Sequence, residues 1–288
     1  MALGNLAQRF LVAVVAVPIL LGVLHYHRPE PAWALIFAAS LLAMREFFAM
    51  TLPAEDRGPA LVMGALASAA MYWTSPGVLE PYGNLKLFEA GVTASTPIIL
   101  LLAVVVPGLY YLFRFRDIPS VAGRITATVT GIVYAGCLTT FLALLKASSA
   151  AYGGDRVLVV LIVAWVADTG GYFAGRFLGK AKLYEAVSPK KTWAGAWGGL
   201  AGSLAGVAVL KLVSFDQLSW LDVGLLAIPG GVLGQLGDLT ESLLKRSVGV
   251  KDSGALLPGH GGILDRIDAV LFIGPYVYTY LTIKAALG

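Results

Sequence analysis

The sequence predicts an all-α polytopic membrane protein, with about nine transmembrane helices in a single integral membrane domain over residues 1–288. Hydrophobic residues make up 58% of the chain and charged residues only 13%, whereas a soluble domain carries about a quarter charged residues. A helix needs about 20 apolar residues to cross the hydrocarbon core of a bilayer. Nine apolar runs of about this length occur, at 10–26, 31–50, 59–74, 93–113, 125–145, 157–175, 193–213, 221–238 and 264–284.

Helix breakers and motifs organise these runs along the chain. The prolines that fall at or between runs, where breakers are expected, are Pro53, Pro59, Pro76, Pro81, Pro119 and Pro189. We find no repeat of fixed period and no linker, which favours one domain. Residues 1–155, called the N-terminal half below, contain helices without motifs. Residues 156–288, called the C-terminal half, contain every motif described below.

The distribution of arginine and lysine predicts the orientation of the chain in the membrane. These residues are concentrated in the loops that follow even-numbered runs, and basic residues collect in cytoplasmic loops. We therefore expect the N-terminus and the two most basic loops, 176–191 and 245–266, to face the cytoplasm. The expected location is the inner (plasma) membrane, crossed many times. Ala32-Trp33-Ala34 resembles a signal-peptide cleavage site, but a membrane helix follows directly, so we expect the first run to be retained.

Composition also excludes several classes of protein. The chain has one cysteine and three histidines, which leaves no disulfide framework and little room for a zinc site. A basic face with interleaved aromatic residues, typical of nucleic-acid binding, is also missing from the sequence, so we expect no nucleic-acid partner.

Asp168 lies inside the sixth run, in LIVAWVADTGGYFAG. An ionised carboxylate in hydrocarbon costs on the order of 3 kcal/mol, so such residues usually serve a site or pair internally. The alternative is a polar residue that helps helices pack beside Gly170, Gly171 and Gly175. The densest basic loop is only about two turns away, which favours a substrate-binding role for Asp168.

The basic loop ends in VSPKKTWAG, where Pro189 is expected to form a turn and a helix is expected to begin. Paired lysines between hydroxyls suit phosphate oxygens, and a helix N-terminus offers free backbone N–H groups. The candidate phosphate ligands are Ser188, Lys190, Lys191 and Thr192. A basic loop that contacts anionic lipid headgroups explains the same pattern, and the spacing alone does not separate the two.

Three further carboxylates fall where two runs meet the same membrane face. Asp238 closes the eighth run, on one helix face with Glu241, Ser242 and Lys245, and Asp265 and Asp268 open the ninth. An internal ion pair and complementation of the helix dipole are the structural alternatives. Carboxylate oxygens suit Mg²⁺, which binds one or two carboxylates plus substrate phosphates. The nearby cations that would neutralise phosphate are Lys245, Arg246, Lys251 and Arg266. This set predicts phosphoryl or nucleotidyl transfer to a lipid at the cytoplasmic face.

Residues 242–268, called the signature segment below, read SLLKRSVGVKDSGALLPGHGGILDRID. This segment resembles the signature of the phosphatidate cytidylyltransferases (CDP-diacylglycerol synthases), with every signature position filled. DTGGYFAGRFLG and SPKKT upstream also resemble that family, so the resemblance covers roughly residues 160–284. One position departs: many members carry a polar or acidic residue after the tryptophan of SPKKTW, where this chain has Ala194.

The resemblance implies the reaction of CTP with phosphatidic acid, giving CDP-diacylglycerol and pyrophosphate in phospholipid biosynthesis. It implies Mg²⁺, with a second cation such as K⁺, held by Asp238, Asp265 and Asp268 as catalytic residues, together with Lys251. The implied substrate-binding residues are Asp168, Ser188, Lys190, Lys191, Thr192, Ser242, Lys245, Arg246, His260 and Arg266.

Two alternative functions stay open at this point. A CTP-dependent kinase of a polyprenol lipid would need similar parts but would leave CDP. An ion-coupled polytopic transporter would also carry an intramembrane acid, although its charges would be expected near the midplane. The sequence also allows a homodimer, packed through small residues at Gly195, Gly198, Gly199, Gly202 and Gly206, unless these glycines pack helices internally.

Overall fold

The computed structural model describes residues 5–75, 78, 97–254 and 261–287, and nine helices account for most of them. Each of the nine predicted runs falls on one helix, which confirms the helical prediction for this part of the chain. The helices are α1 (Asn5–His25), α2 (Glu30–Thr51), α3 (Ala54–Trp73), α4 (Pro97–Phe113), α5 (Ile118–Ala147), α6 (Gly153–Leu178), α7 (Trp193–Val213), α8 (Trp220–Ser247) and α9 (Leu264–Leu287).

Six of these helices, α2 and α5 to α9, are long and apolar enough to cross a membrane. The chain is therefore a multi-pass membrane protein. Ala16–His25 within α1 and Pro97–Phe113 are shorter apolar helices. Helix α3 carries Glu55, Asp56 and Arg57 at its start. Nine complete crossings stay a prediction.

A short β-hairpin between α6 and α7 departs from the all-α prediction. Strand β1 (Lys182–Tyr184) pairs antiparallel with β2 (Ser188–Thr192), with Lys182 opposite Thr192. The SPKKT motif is therefore a strand, and the prediction that Pro189 forms a turn is wrong. Proline lacks an N–H but is accepted in edge strands, and both strands of a two-stranded ribbon are edges.

Glycines let α6 and α7 approach until their backbones touch. A Cβ on Gly170 would lie 2.4 Å from the carbonyl oxygen of Gly198, and a Cβ on Gly202 would lie 2.6 Å from the carbonyl oxygen of Val166. Small residues allow this close contact between membrane helices. The glycine face of α7 that suggested a dimer is thus used inside the protein, as the internal alternative predicted.

Two ion pairs with buried carboxylates join helices away from this contact. Asp222 forms a capping box with Ser219 at the start of α8, and its carboxylate binds Lys284 Nζ at 2.5 Å and Tyr280 at 2.6 Å on α9. In the N-terminal half, Asp56 at the start of α3 pairs with Arg124 of α5 at 3.2 Å. These pairs hold neighbouring helices in one register.

The contact between α6 and α7 predicts the effect of adding a methyl group there. Gly170→Ala would press a Cβ against the backbone of α7, so we expect it to lower the stability of the protein by about 1–3 kcal/mol, the usual cost of overpacking. The measurement is the midpoint of thermal denaturation in detergent micelles. Gly224→Ala in α8 is the control, because a Cβ there would meet nothing within 4 Å. Equal melting of both variants and the unmodified protein would contradict this account.

Candidate active site

A cavity of about 440 Å³ opens between α6, α7, α8 and the β-hairpin. Its walls include five of the residues predicted for the site, which come from three separate segments of the chain. These are Asp168 on α6, Lys190, Lys191 and Thr192 on β2, and Asp238 on α8. The structure therefore brings the intramembrane acid, the lysine motif and the first carboxylate of the eighth run to one place.

The lysine motif of β2 is in direct contact with Asp238 of α8. Lys191 Nζ lies 2.6 Å from Asp238 Oδ2, and both side chains are partly exposed to the cavity. Asp168 interacts electrostatically with both of these residues and with Arg266. Groups of both charges thus lie at the cavity, which suits a ligand that carries phosphates and a bound cation.

Asp268 completes a group of three carboxylates near the cavity. It lies in the first turns of α9 and interacts electrostatically with Asp238 and Asp168. Its Oδ1 accepts a hydrogen bond from the backbone N–H of Ala269 at 2.7 Å, and Ala269 lies on the cavity wall. Three acids this close repel one another, so a cation among them would lower the free energy of the ionised state.

Asp265, the remaining predicted carboxylate, has both oxygens engaged by protein groups. Its Oδ1 accepts from Lys245 Nζ at 2.6 Å, and its Oδ2 accepts from the backbone N–H groups of Ser253 at 3.1 Å and Gly262 at 2.9 Å. These contacts fasten the signature segment to the start of α9. Its predicted role as a metal ligand stays a prediction.

Lys245 lies between two acids instead of facing the cavity. Its ammonium contacts Glu241 one turn earlier on α8 as well as Asp265, and all three groups are partly or fully buried. Glu241 is only 1% exposed. The site prediction did not include Glu241, although its spacing from Asp238 and Lys245 on one helix face was visible in the sequence.

The other predicted residues occupy mixed positions. Thr192 Oγ1 accepts a hydrogen bond from Gly195 N–H at 3.1 Å and so caps α7. Arg246 donates to the carbonyl of Val250 at 2.9 Å, at the end of α8. Lys251 and Arg266 are exposed, and Ser188 and Ser242 are half-buried. His260 lies outside the described residues.

Three polar side chains on the cavity wall, Tyr172, Arg176 and Gln235, were missed by the site prediction. Tyr172 and Arg176 lie on α6 one and two turns after Asp168, and Arg176 Nη1 donates to the Tyr172 hydroxyl at 2.6 Å. The spacing of four residues places Asp168, Tyr172 and Arg176 on one face of α6. This pattern could have predicted Tyr172 and Arg176 from the sequence. Gln235, the third, donates to the carbonyl of Ala196 at 3.0 Å.

No group of three or more acidic, histidine or cysteine side chains is close enough to hold a metal ion by itself, within the part of the chain that the structure describes. Two carboxylates are nevertheless enough for Mg²⁺ when substrate phosphates supply the other oxygens.

The fold and the cavity define a class: a helical multi-pass membrane protein with a polar, lysine- and carboxylate-lined site among its C-terminal helices. The family model of the cytidylyltransferase family matches residues 7–284, almost the whole chain. The chain belongs to the cytidylyltransferase family. The resemblance seen in the motifs is confirmed at this level.

Relatives with known names match mainly over part of their length. The phosphatidate cytidylyltransferase of Bacillus subtilis (strain 168) is 44% identical over 132 residues, which is 46% of this chain and 49% of that protein. The enzyme of the same name from Brucella suis biovar 1 (strain 1330) is 40% identical over 155 residues, 54% of this chain and 57% of the relative. That from Staphylococcus aureus (strain COL) is 48% identical over 124 residues, 43% and 47% respectively. The chain spans about half the length of the curated relatives it matches.

The capping role of Thr192 can be separated from a role in binding. Thr192→Ala removes the acceptor for Gly195 N–H, so we expect a loss of stability of about 1 kcal/mol, as for other N-caps. Thr192→Ser keeps the oxygen and should melt close to the unmodified protein. Thermal denaturation in detergent measures both. An alanine variant with unchanged melting would show that the hydrogen bond adds nothing to the stability of α7.

Proposed function

We propose that this protein transfers the cytidylyl group of CTP to phosphatidic acid, giving CDP-diacylglycerol and pyrophosphate. The observation that carries the proposal is the meeting of Lys191 and Asp238 in one cavity with Asp168. Family membership and the names of the relatives support the same reaction. A site with acids, lysines and little else suits a transfer between phosphates, because such reactions depend mostly on positioning and charge stabilisation.

In the proposed reaction a phosphate oxygen of phosphatidic acid attacks the α-phosphorus of CTP. A new P–O bond forms to the lipid phosphate, and the bond from the α-phosphorus to the β-bridging oxygen breaks, with pyrophosphate taking the electron pair. The attacking phosphate is already anionic near neutral pH, so the site needs no general base. Lys190 and Lys191 would offset the charge on the triphosphate as pyrophosphate leaves.

The donor set near the cavity fits Mg²⁺, a hard cation that prefers carboxylate and phosphate oxygens. We propose Asp238 and Asp268 as the residues that hold it, with Asp168 close enough to add charge. Bound Mg²⁺ would neutralise part of the negative charge on the substrate phosphates. The role of Asp265 as a metal ligand and the presence of a second cation such as K⁺ are also proposed, on the basis of the sequence resemblance alone. Lys191 would exchange part of its contact with Asp238 for substrate phosphate.

Exposed aromatic rings on the helix that lines the cavity support a lipid substrate. Arg176 and Tyr172 lie on its wall, and Phe173 and Phe177 on the same part of α6 are exposed and stacked on each other. An arginine beside apolar rings can bind a lipid phosphate while the acyl chains stay in hydrocarbon. The positive loops further favour a site that opens to the cytoplasm, where CTP is available.

The test of this proposal uses purified protein in detergent micelles with phosphatidic acid, Mg²⁺ and CTP labelled at the α-phosphate. We expect label to move into the lipid phase, and pyrophosphate to appear in equal amount. Asp238→Asn and Asp268→Asn should each lower the rate at least about 100-fold, because each removes charge at the reacting phosphates. Folded protein that never labels the lipid would overturn the proposal, and release of CDP instead of pyrophosphate would indicate a lipid kinase.

The control for the carboxylate variants is Asp216→Asn. Asp216 is exposed and accepts a hydrogen bond from Tyr152. It lies in the loop before the start of α8, whereas Asp238 lies in the last third of that helix. We expect this variant to keep the full rate. The same assay with Asp265→Asn tests whether the rate depends on that carboxylate as strongly as on Asp238 and Asp268.

Chelation of divalent cations tests the metal. We expect EDTA to abolish transfer and added Mg²⁺ to restore it. Asp238→Asn should raise the Mg²⁺ concentration needed for half-maximal rate by about 10-fold or more, since one of two carboxylate ligands is lost. Full activity in EDTA would contradict the proposed cation.

A further inference from the structure

A buried carboxylate from the N-terminal half lies against the signature segment. Glu46 is in α2, near its C-terminal end, and is only 8% exposed. Its Oε1 accepts a hydrogen bond from the backbone N–H of Ile263 at 3.0 Å. Its Oε2 accepts from Leu264 N–H at 2.9 Å and from the Ser253 hydroxyl at 3.1 Å. One side chain thus contacts the described residues on both sides of 255–260.

The hydrogen bonds to Glu46 supply acceptors for backbone N–H groups at the start of α9. The first N–H groups of an α-helix have no partner within the helix, and a nearby Ser, Thr, Asp or Asn normally accepts from one of them. At the start of α9 the acceptor for the first helical N–H, that of Leu264, is Glu46, 218 positions earlier in the sequence. A negative charge at this position also interacts favourably with the helix dipole. Helix α9 is therefore held at its N-terminus by α2.

The backbone closes around this carboxylate because two glycines face it. A Cβ on Gly254 would lie 2.7 Å from Glu46 Oε1, and a Cβ on Gly262 would lie 2.3 Å from Glu46 Oε2. Real Cβ atoms do not approach other atoms this closely, so a larger residue at either position would displace the Glu46 carboxylate from its present contacts. Gly254 and Gly262 thus leave the space that the Glu46 carboxylate occupies.

Hydrogen bonds connect Glu46 to the residues proposed to act on substrate. Ser253, which donates its hydroxyl to Glu46, also donates its backbone N–H to Asp265. Asp265 in turn binds Lys245. Asp268 lies one turn beyond Asp265 on α9, so its position depends on where α9 begins.

We propose that Glu46 is a positioning residue for the transfer reaction, holding the start of α9 and the signature segment so that Asp268 meets its partners at the cavity. This inference rests on the proposed function. Glu46 lies behind the signature segment, in contact with Ser253, Ile263 and Leu264, and acts through them. The N-terminal half then contributes to catalysis as well as to the membrane anchor.

The test is Glu46→Gln in the full-length protein, assayed with labelled CTP and phosphatidic acid. Glutamine has the same size as glutamate, but its NH₂ group donates hydrogen bonds. One of the two oxygens that accept from Ile263, Leu264 and Ser253 is therefore lost. We expect kcat to fall about 10- to 100-fold, as when supporting residues behind a site are lost. The KM values for CTP and phosphatidic acid should change less than about threefold. Rates are normalised to the monodisperse folded fraction from size-exclusion chromatography, so lost folding alone would leave kcat unchanged.

Asp56→Asn is the matched control. Asp56 is also a buried carboxylate of the N-terminal half, but it pairs with Arg124 instead of the signature segment. We expect this variant to melt at a lower temperature and to keep its kcat per folded molecule. A loss of kcat equal to that of Glu46→Gln would overturn the inference, because it would show a general effect of disturbing this half.

Ser253→Ala provides a second variant, in case Glu46→Gln does not fold. It removes one of the three hydrogen bonds to Glu46 and keeps the backbone N–H that donates to Asp265. We expect kcat to fall at least threefold, and the double variant to lose less than the product of the two single losses, because the two residues share one contact. Unchanged kcat in Ser253→Ala, or in folded Glu46→Gln, overturns the inference while the unmodified protein still labels lipid. An unmodified protein that labels no lipid overturns the proposed function itself.

Discussion

The free-energy cost of ionised groups in an apolar helix bundle organises this structure. A charge in hydrocarbon costs several kcal/mol unless a partner or polar cavity receives it. Asp222 meets Lys284, Asp56 meets Arg124, and Asp238 meets Lys191. Each pair joins two segments that are distant in the sequence. These ion pairs therefore help to specify which segments are neighbours, which hydropathy alone does not.

The polar cavity depends on a second constraint, which is the close approach of α6 and α7. The glycines at this contact bring the two helices together, with the β-hairpin that connects them beside Asp238 of α8. Lys191 on β2 can then reach Asp238. A wider separation of α6 and α7 would move the lysines away from the carboxylates. Packing in the membrane and chemistry at its surface are thus coupled through small residues.

The N-terminal half has no sequence motif, yet it contributes to the geometry of the site. Glu46 supplies the acceptors that the start of α9 needs, and the aromatic ring of Tyr134 on α5 packs edge-on against Phe272 of α9. Tyr134 also lies in a stretch of π-helix, Ile132–Cys137, a distortion often found near functional sites. The two halves therefore contact each other around α9.

The sequence by itself determined the helices and five of the eight polar side chains that line the cavity. Hydropathy is a local property, so each apolar run predicted its helix, and the paired lysines and spaced aspartates were visible as motifs. Tertiary structure decided the rest. Ser188 to Thr192 became a strand because a partner strand was available, and Asp265 bound backbone N–H groups that only the folded loop presents. Glu46 could not be predicted as part of the site, because its role depends on contacts across more than 200 positions that no local pattern encodes.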